Sequence, residues 1–413
     1  MSFKTISVIG LGYIGLPTAA IIASRGIDVI GVDVNQHAVD LINQGKVHIV
    51  EPDLDIIVRS AVQTGNLRAT VTPEPADAFM IAVPTPFKDD HQPDLSYIEA
   101  AAKAIAPVLE KGNLVVLEST SPVGSTEKLA GWLADARPDL IFPLNGAAST
   151  DVNVAYCPER VLPGYVLQEL ISNDRVVGGL SSECAQKAIA LYEIFVKGDC
   201  LITNARTAEM AKLTENSFRD VNIAFANELS IICDTLQINV WELIKLSNRH
   251  PRVNILKPGP GVGGHCIAVD PWFIVSSDPN NAKIIRTARE VNDGKPHYVV
   301  DKVIKAADRF KDPVIACLGL SFKADIDDLR ESPAMGIVDI LAKKEVGKIL
   351  VVEPNIGELP DKLEGRVTKV DLSNALKEAD ITVLLVDHKE FRNISLEKLH
   401  GCMTIDTRGV LGG

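Results

Sequence analysis

Residues 259–266, GPGVGGHC, end a glycine-rich loop on Cys266 and place a carboxylate, Asp270, four residues later. Gly259, Gly261, Gly263 and Gly264 carry no Cβ to hold the backbone away from a ligand, so such a loop can present a thiol to a substrate. Residues 267–275 are expected to begin a short helix, whose N-terminal end would favour thiolate over thiol. Cys266 is therefore a candidate nucleophile, against the plainer reading of a structural cysteine beside a turn.

Two other patterns could serve such a thiol. Lys212, Asn216 and Arg219 are spaced i, i+4 and i+7, which puts them on one helix face. Beside a thiol, an ammonium and an amide suit developing oxyanions, although a polar stripe facing solvent has the same spacing. Gly10, Gly12 and Gly15 spell GxGxxG at a strand-to-helix transition, and Asp33 follows Gly15 by 18 residues. An acidic side chain there hydrogen-bonds a ribose diol and repels a 2′-phosphate, so the cofactor expected is NAD rather than NADP.

The bulk properties narrow the class. With 413 residues the chain is long for one core and implies two or three domains. A net charge of −12 argues against nucleic-acid binding, but leaves room for an anionic small ligand held by local arginines. Seven scattered cysteines without a CxxC pair fit reduced thiols in a cytoplasm, and they offer no zinc spacing, so no metal is expected. Residues 7–24 are uncharged, yet Pro17 and three glycines within them argue against a membrane span.

These residues must be positioned by a doubly wound framework. Strands are expected at 5–12, 28–34, 78–84, 114–120, 152–156 and 175–178, with helices at 14–25, 96–109, 125–136 and 182–196 between them. The pattern turns helical from 207 to 248, and Ala224, Phe225, Leu229, Ile231 and Ile232 make its later part apolar on most faces, as a helix buried between domains or against a second subunit would be. A further helix is expected at 282–310. The strand-helix rhythm restarts with strands at 314–320, 349–352, 380–386 and 403–406, and Ser332-Pro333 begins a helix running to about 344. The expected fold class is α/β, with two doubly wound Rossmann-like domains joined by a central helical domain: 1–205 for NAD, 206–310 for dimerisation and the active site, and 311–413 as the second Rossmann-like domain.

Seven segments in this order resemble the UDP-glucose/GDP-mannose dehydrogenase family: GLGYIGLP at 10–17, ESTSPVGST at 118–126, YCPERVLPG at 156–164, EMAKLTENSFRDVNIAFANEL at 209–229, RHPRVN at 249–254, GPGVGGHCIAVDPWF at 259–273 and FKADIDDLRESPA at 322–334. The resemblance runs end to end. It implies NAD-dependent, four-electron oxidation of a nucleotide-sugar C6 alcohol to a carboxylate through a cysteine thiohemiacetal and thioester. The middle segments resemble the bacterial branch acting on UDP-N-acetyl-D-mannosamine, for surface polysaccharide precursors of the enterobacterial common antigen type. Glu118 stands where the UDP-glucose branch usually has lysine, which leaves the sugar open among UDP-N-acetylmannosamine, UDP-N-acetylglucosamine, UDP-glucose and GDP-mannose.

The same resemblance assigns roles. Cys266 is the nucleophile, Lys212 and Asn216 stabilise the oxyanions, and Asp270 pairs with Lys212 or holds a water. Glu159 activates water on the thioester, and Thr120 helps hold that water. The nucleotide sugar falls to the 311–413 domain and to Arg160, Arg219, His250, Arg252 and Lys323, with backbone at Val161 and Gly263, and more weakly to Arg408. Tyr13, Ile14, Thr85, Thr126 and Arg330 resemble cofactor contacts. A cytoplasmic homodimer through the central helix is expected, binding neither nucleic acid nor membrane.

Two readings compete with this one. A single-step β-hydroxyacid dehydrogenase would also join a Rossmann domain to a helical one, but needs neither Cys266 nor a second doubly wound domain, and would yield one NADH per substrate rather than two. A non-catalytic NAD-responsive protein would leave the thiol, lysine and asparagine together without a purpose.

Overall fold

The apolar run at residues 5–9 forms strand β1, Thr5–Ile9, which is buried past its first residue. Helix α1, Gly15–Ala23, follows and is buried at all nine positions, because it packs against β1, against β2 (Asp28–Val32) and against the helices that follow. The computed structural model describes residues 3–88, 91–144, 149–162, 164–264, 266–395 and 399–411, and the chain divides into two units, 1–215 and 216–413.

The first unit continues through α2 (Gln36–Asn43), α3 (Leu54–Gln63), β3 (Leu67–Thr70), β4 (Ala78–Ile81), α4 (Ser96–Ile105), β5 (Leu114–Leu117), α5 (Ser125–Ala136), β6 (Asn153–Tyr156), α6 (Val166–Ser172), β7 (Arg175–Gly179), α7 (Ser182–Tyr192) and β8 (Cys200–Asn204). Its eight strands lie in the order β3-β2-β1-β4-β5-β6-β7-β8, parallel throughout except for the antiparallel step from β6 to β7. The order reverses between β1 and β4, where the crevice at the strands' carboxyl ends receives ligands in such sheets.

The helix expected at 207–248 is two helices, α8 (Ala205–Leu236) and α9 (Val240–Ser247). Gln237 breaks it with a left-handed φ of 58°, Ile238 N–H donates back to the Cys233 carbonyl, and the Asn239 side chain caps α9 by accepting from Trp241 and Glu242 N–H. Within one chain the later part of α8 is not buried on most faces: Ala224, Ala226 and Cys233 are, whereas Phe218, Phe225, Ile232 and Leu236 are exposed.

The second unit holds the rest of α8, then α9, α10 (Asp270–Ser277), α11 (Lys283–Ala307, which runs through Pro296), β9 (Val314–Leu318), α12 (Pro333–Lys343), β10 (Lys348–Val352), β11 (Thr368–Lys369), α13 (Leu372–Glu378), β12 (Ile381–Leu384) and β13 (Met403–Asp406). Its five strands are parallel, in the order β11-β10-β9-β12-β13. Among the described residues no helix is long and apolar enough to cross a membrane, and no cluster of His, Cys, Asp or Glu could hold a metal ion.

Candidate functional site

The loop after β1 is built for close approach of a dinucleotide. Gly10 has a φ of +91°, and a Cβ there would lie 2.7 Å from the Ala82 carbonyl oxygen; a Cβ on Gly15, the first residue of α1, would collide with the Gly10 carbonyl. At Gly12 nothing lies within 4 Å, so the side facing the crevice is open. Helix α1 starts after Ile14 without a side-chain cap, which leaves its N-terminus for a pyrophosphate, and Tyr13 is exposed beside it. Asp33, the residue after β2, accepts from Leu11 N–H at 2.8 Å and Asn35 N–H at 2.9 Å, which aims a half-exposed carboxylate at the crevice. These residues fit NAD.

The ends of β4 and β5 bring Thr85 and Thr120 together, with the Thr85 hydroxyl donating to the Thr120 carbonyl at 2.5 Å. Thr126 is fully buried: its hydroxyl and N–H both donate to Glu209, which also accepts from Gly124 N–H and so caps α5. Glu159 is buried and both its oxygens are engaged, one by Arg160 N–H at 2.6 Å and the other by the buried Arg175 guanidinium at 2.7 Å. Arg160 is paired with Glu215 at 2.8 Å, and Val161 packs against the apolar core of this unit.

Of the seven cysteines, Cys266 alone is exposed. Burial pushes Cys157 and Cys317 up to about 12, and Cys200 and Cys402 upward as well, so those thiols are held in the unreactive form. The short helix expected at 267–275 starts later, at Asp270, and the turn that leads into it is closed by the N–H groups of Val269 and Asp270 donating to the Cys266 carbonyl. Asp270 is buried at the first position of α10 and accepts from the Asn216 amide of α8, which joins two of the expected site residues. Lys212 lies one helical turn before Asn216 on α8 and is half-buried.

The expected phosphate-binding cations differ in their surroundings. Arg219, His250 and Arg252 are exposed, with His250 Nδ1 accepting from Arg252 N–H at 3.3 Å. Gly263 is crowded: a Cβ there would lie 2.5 Å from the Glu331 carbonyl oxygen. Lys323 is exposed and its carbonyl accepts from the Ser321 hydroxyl. Arg330 chelates Asp328, two residues back along the chain. Arg408 pairs with Asp387 at 2.7 Å and lies against Gly259, where a Cβ would meet its guanidinium at 2.7 Å.

Several supporting residues escaped sequence reasoning. The buried Tyr192 hydroxyl donates to Glu118 at 2.7 Å, beside the Arg175–Glu159 pair. In the second unit the glycine loop is tied to α8 by Gly259 N–H donating to Asn227, whose amide donates to Asn292 of α11; Asn292 in turn donates to Asp220, which also holds Arg289. Lys295 bonds Ser230 in the same network, and burial pushes its ammonium down to about 8. The one sequence signal was a charge, Arg175, at the start of the otherwise apolar β7.

Comparison with known proteins matches nearly the whole length of the chain. Residues 4–196 match the NAD binding domain of the UDP-glucose/GDP-mannose dehydrogenase family, 206–294 its central domain and 316–413 its UDP binding domain. The chain is 66% identical to an NDP-N-acetyl-D-galactosaminuronic acid dehydrogenase from Ralstonia nicotianae, covering 99% of this chain and 97% of the relative. It is 65% identical to a UDP-N-acetyl-D-mannosamine dehydrogenase from Salmonella typhi, covering 99% and 100%. Among solved structures, a UDP-N-acetyl-mannosamine dehydrogenase from S. aureus superposes with a TM-score of 0.87 at 41% identity, over 99% of this chain and 96% of that one.

Proposed function

Because the chain belongs to the UDP-glucose/GDP-mannose dehydrogenase family of NAD-dependent oxidoreductases, we propose that it oxidises the C6 alcohol of UDP-N-acetyl-D-mannosamine to the uronate, in the cytoplasm and for surface polysaccharide synthesis. The observation that carries the proposal is the exposed Cys266, alone among seven cysteines, on a loop followed by the Asn216–Asp270 pair.

NAD supplies the hydride acceptor in both half-reactions. Lys212 and Asn216 donate to the alkoxide that forms as the C6 hydroxyl loses its proton, and Asp270 holds the Asn216 amide in place for that task. Loss of a hydride from that alkoxide leaves the aldehyde, and the Cys266 thiolate adds to its carbon before it can escape; loss of a second hydride and the hydroxyl proton turns the thiohemiacetal into a thioester. Thr120 and Glu159 hold the water that attacks the thioester, and Cys266 leaves as thiolate. Glu159 acts from a fixed position, since Arg175 and Arg160 N–H occupy its oxygens. Arg160, Arg219, His250, Arg252, Lys323 and Arg408 neutralise the diphosphate of the substrate, with Val161 and Gly263 offering backbone. Gly10, Gly12, Asp33, Thr85, Thr126 and Arg330 serve the cofactor, Thr126 by shaping the α5 terminus from its bond to Glu209.

The chain acts as a homodimer. Phe218, Phe225 and Ile232 follow one another at seven-residue spacing on α8, and with Ile284 of α11 they leave an apolar stripe uncovered in the single chain.

The NADH yield per mole of substrate tests reaction type and sugar together. UDP-N-acetylmannosamine, UDP-N-acetylgalactosamine, UDP-N-acetylglucosamine, UDP-glucose and GDP-mannose form the panel, and two NADH per UDP-N-acetylmannosamine is the expected result. One NADH per turnover would overturn the mechanism. Two NADH with the galactosamine sugar preferred would instead favour the activity named for the Ralstonia relative.

A further inference from the structure

The start of the second unit's sheet repeats the cofactor-binding turn of the first. Gly10 after β1 and Gly319 after β9 share a left-handed φ, +91° and +96°, and each donates its N–H at 2.8 Å to the last residue of the neighbouring strand, Val32 and Val352. The next residue, Leu11 or Leu320, donates to the acidic side chain that follows that strand: Asp33 at 2.8 Å in one case, Glu353 at 2.7 Å in the other. The strands are in the same register, Ile9 opposite Val32 and Leu318 opposite Val352.

The two acids then part ways. Asp33 is half-exposed, whereas Glu353 is buried under His388, which is itself fully buried with Nε2 3.1 Å from Glu353 Oε2. Asp325 N–H at 2.9 Å and the Asn355 amide at 3.0 Å both point at Nδ1, so the imidazole proton resides on Nε2, facing Glu353. Glu353 also accepts from Ser321 and Asn355 N–H, and Ser321 Oγ lies 3.3 Å from Nε2. Burial pushes the Glu353 carboxyl up, but the bonds from His388, Leu320 and Asn355 outweigh it and hold the group at about 2. Asp325 has a φ of 63°, an unfavourable conformation for a side-chain-bearing residue, and its carboxylate is held by Lys389 N–H and Arg392.

We propose that His388 is a positioning residue for the nucleotide half of the substrate: it occupies the place where a ribose would meet Glu353, and through Asp325 N–H it fixes the 320–325 loop that presents Lys323. The second sheet thus binds its nucleotide by loop and cation instead of by an acid on a ribose diol. This rests on the assignment of Lys323 to the diphosphate under Proposed function.

Calorimetric titration with UDP, and separately with NAD, tests it without turnover. His388→Ala and His388→Gln are expected to weaken UDP binding by about tenfold, the worth of one good hydrogen bond, and to leave NAD affinity unchanged. His388→Asn places its amide oxygen near the Nδ1 position, so it keeps the acceptor for Asp325 N–H and is expected to stay near wild type. Equal losses in the Asn and Gln variants, or NAD affinity falling alongside UDP, would mean that His388 serves only general stability and would overturn the proposal. Lys323→Met separates the premise. If it leaves UDP binding intact, the Lys323 assignment fails; if it weakens UDP while His388→Ala does not, the His388 inference fails alone.

Discussion

Arg175 Nη1 lies 2.7 Å from Glu159 Oε2, with 1% and 8% of the two side chains exposed. A guanidinium so buried exists to compensate a charge, and removing one partner leaves the other uncompensated. Arg175→Met is therefore expected to cost about 3–5 kcal/mol of stability in urea or thermal unfolding. A loss below about 1 kcal/mol would mean that the pair is not what holds Glu159.

Glu118 lies behind that pair, and burial followed by the charge of Glu159 pushes its carboxyl up to about 7, against the pull of Arg175 and the Tyr192 hydroxyl. The unfolded chain releases this proton near 4.5, so the folded chain holds more protons between about 4.5 and 7 and loses stability as pH rises through that window. Glu118→Gln keeps an oxygen for Tyr192 and cannot ionise. Relative to wild type it is expected to gain on the order of 3 kcal/mol between pH 4.5 and 8. A stability difference that does not vary with pH would contradict the buried, protonated Glu118.

Asp33→Ala removes the acceptor for Leu11 N–H and the group aimed at the ribose diol. NAD is expected to bind about tenfold more weakly or worse, and the preference over NADP to shrink. Fluorescence titration with both dinucleotides reads the two effects, and unchanged discrimination would count against Asp33.

Cys266→Ala is expected to abolish carboxylate formation and leave NAD affinity intact, because the thiol serves covalent capture. Product analysis by mass spectrometry decides it. Wild-type yields of the uronate would rule out the thioester route.

Phe225→Glu puts a charge into the exposed stripe of α8. Sedimentation velocity is expected to show a monomer in place of a dimer; an unchanged assembly would move the interface elsewhere.

The central strands were legible because each is an apolar run ending near glycine or a polar turn, as in β1, β4, β5 and β9. Three of the four edge strands were not: β3 carries Arg68, β8 leaves Leu201 and Ile202 exposed, and β11 spans two residues, whereas β13 lies where 403–406 was expected. The break between α8 and α9 has neither glycine nor proline to announce it, only Gln237 in a left-handed conformation. The same divide runs through the site. The turn from Gly10 to Asp33 is written in one stretch of chain, whereas Asn216 and Asp270 are 54 residues apart and Tyr192 and Glu118 are 74 apart, so their pairing depends on topology.

The course of α8 sets an order on synthesis. Its first turns are anchored by Glu209 to residues already made, Gly124 and Thr126, but Asp220 must wait 69 residues for Arg289 and Asn227 must wait 65 for Asn292. The nascent chain can complete its first sheet while half of its longest helix still exposes unmatched polar groups and Phe225 to the ribosome surface and to chaperones. Pausing translation between codons 230 and 290 would lengthen that exposure, and the helix that carries Lys212 and Asn216 would be the segment placed at risk.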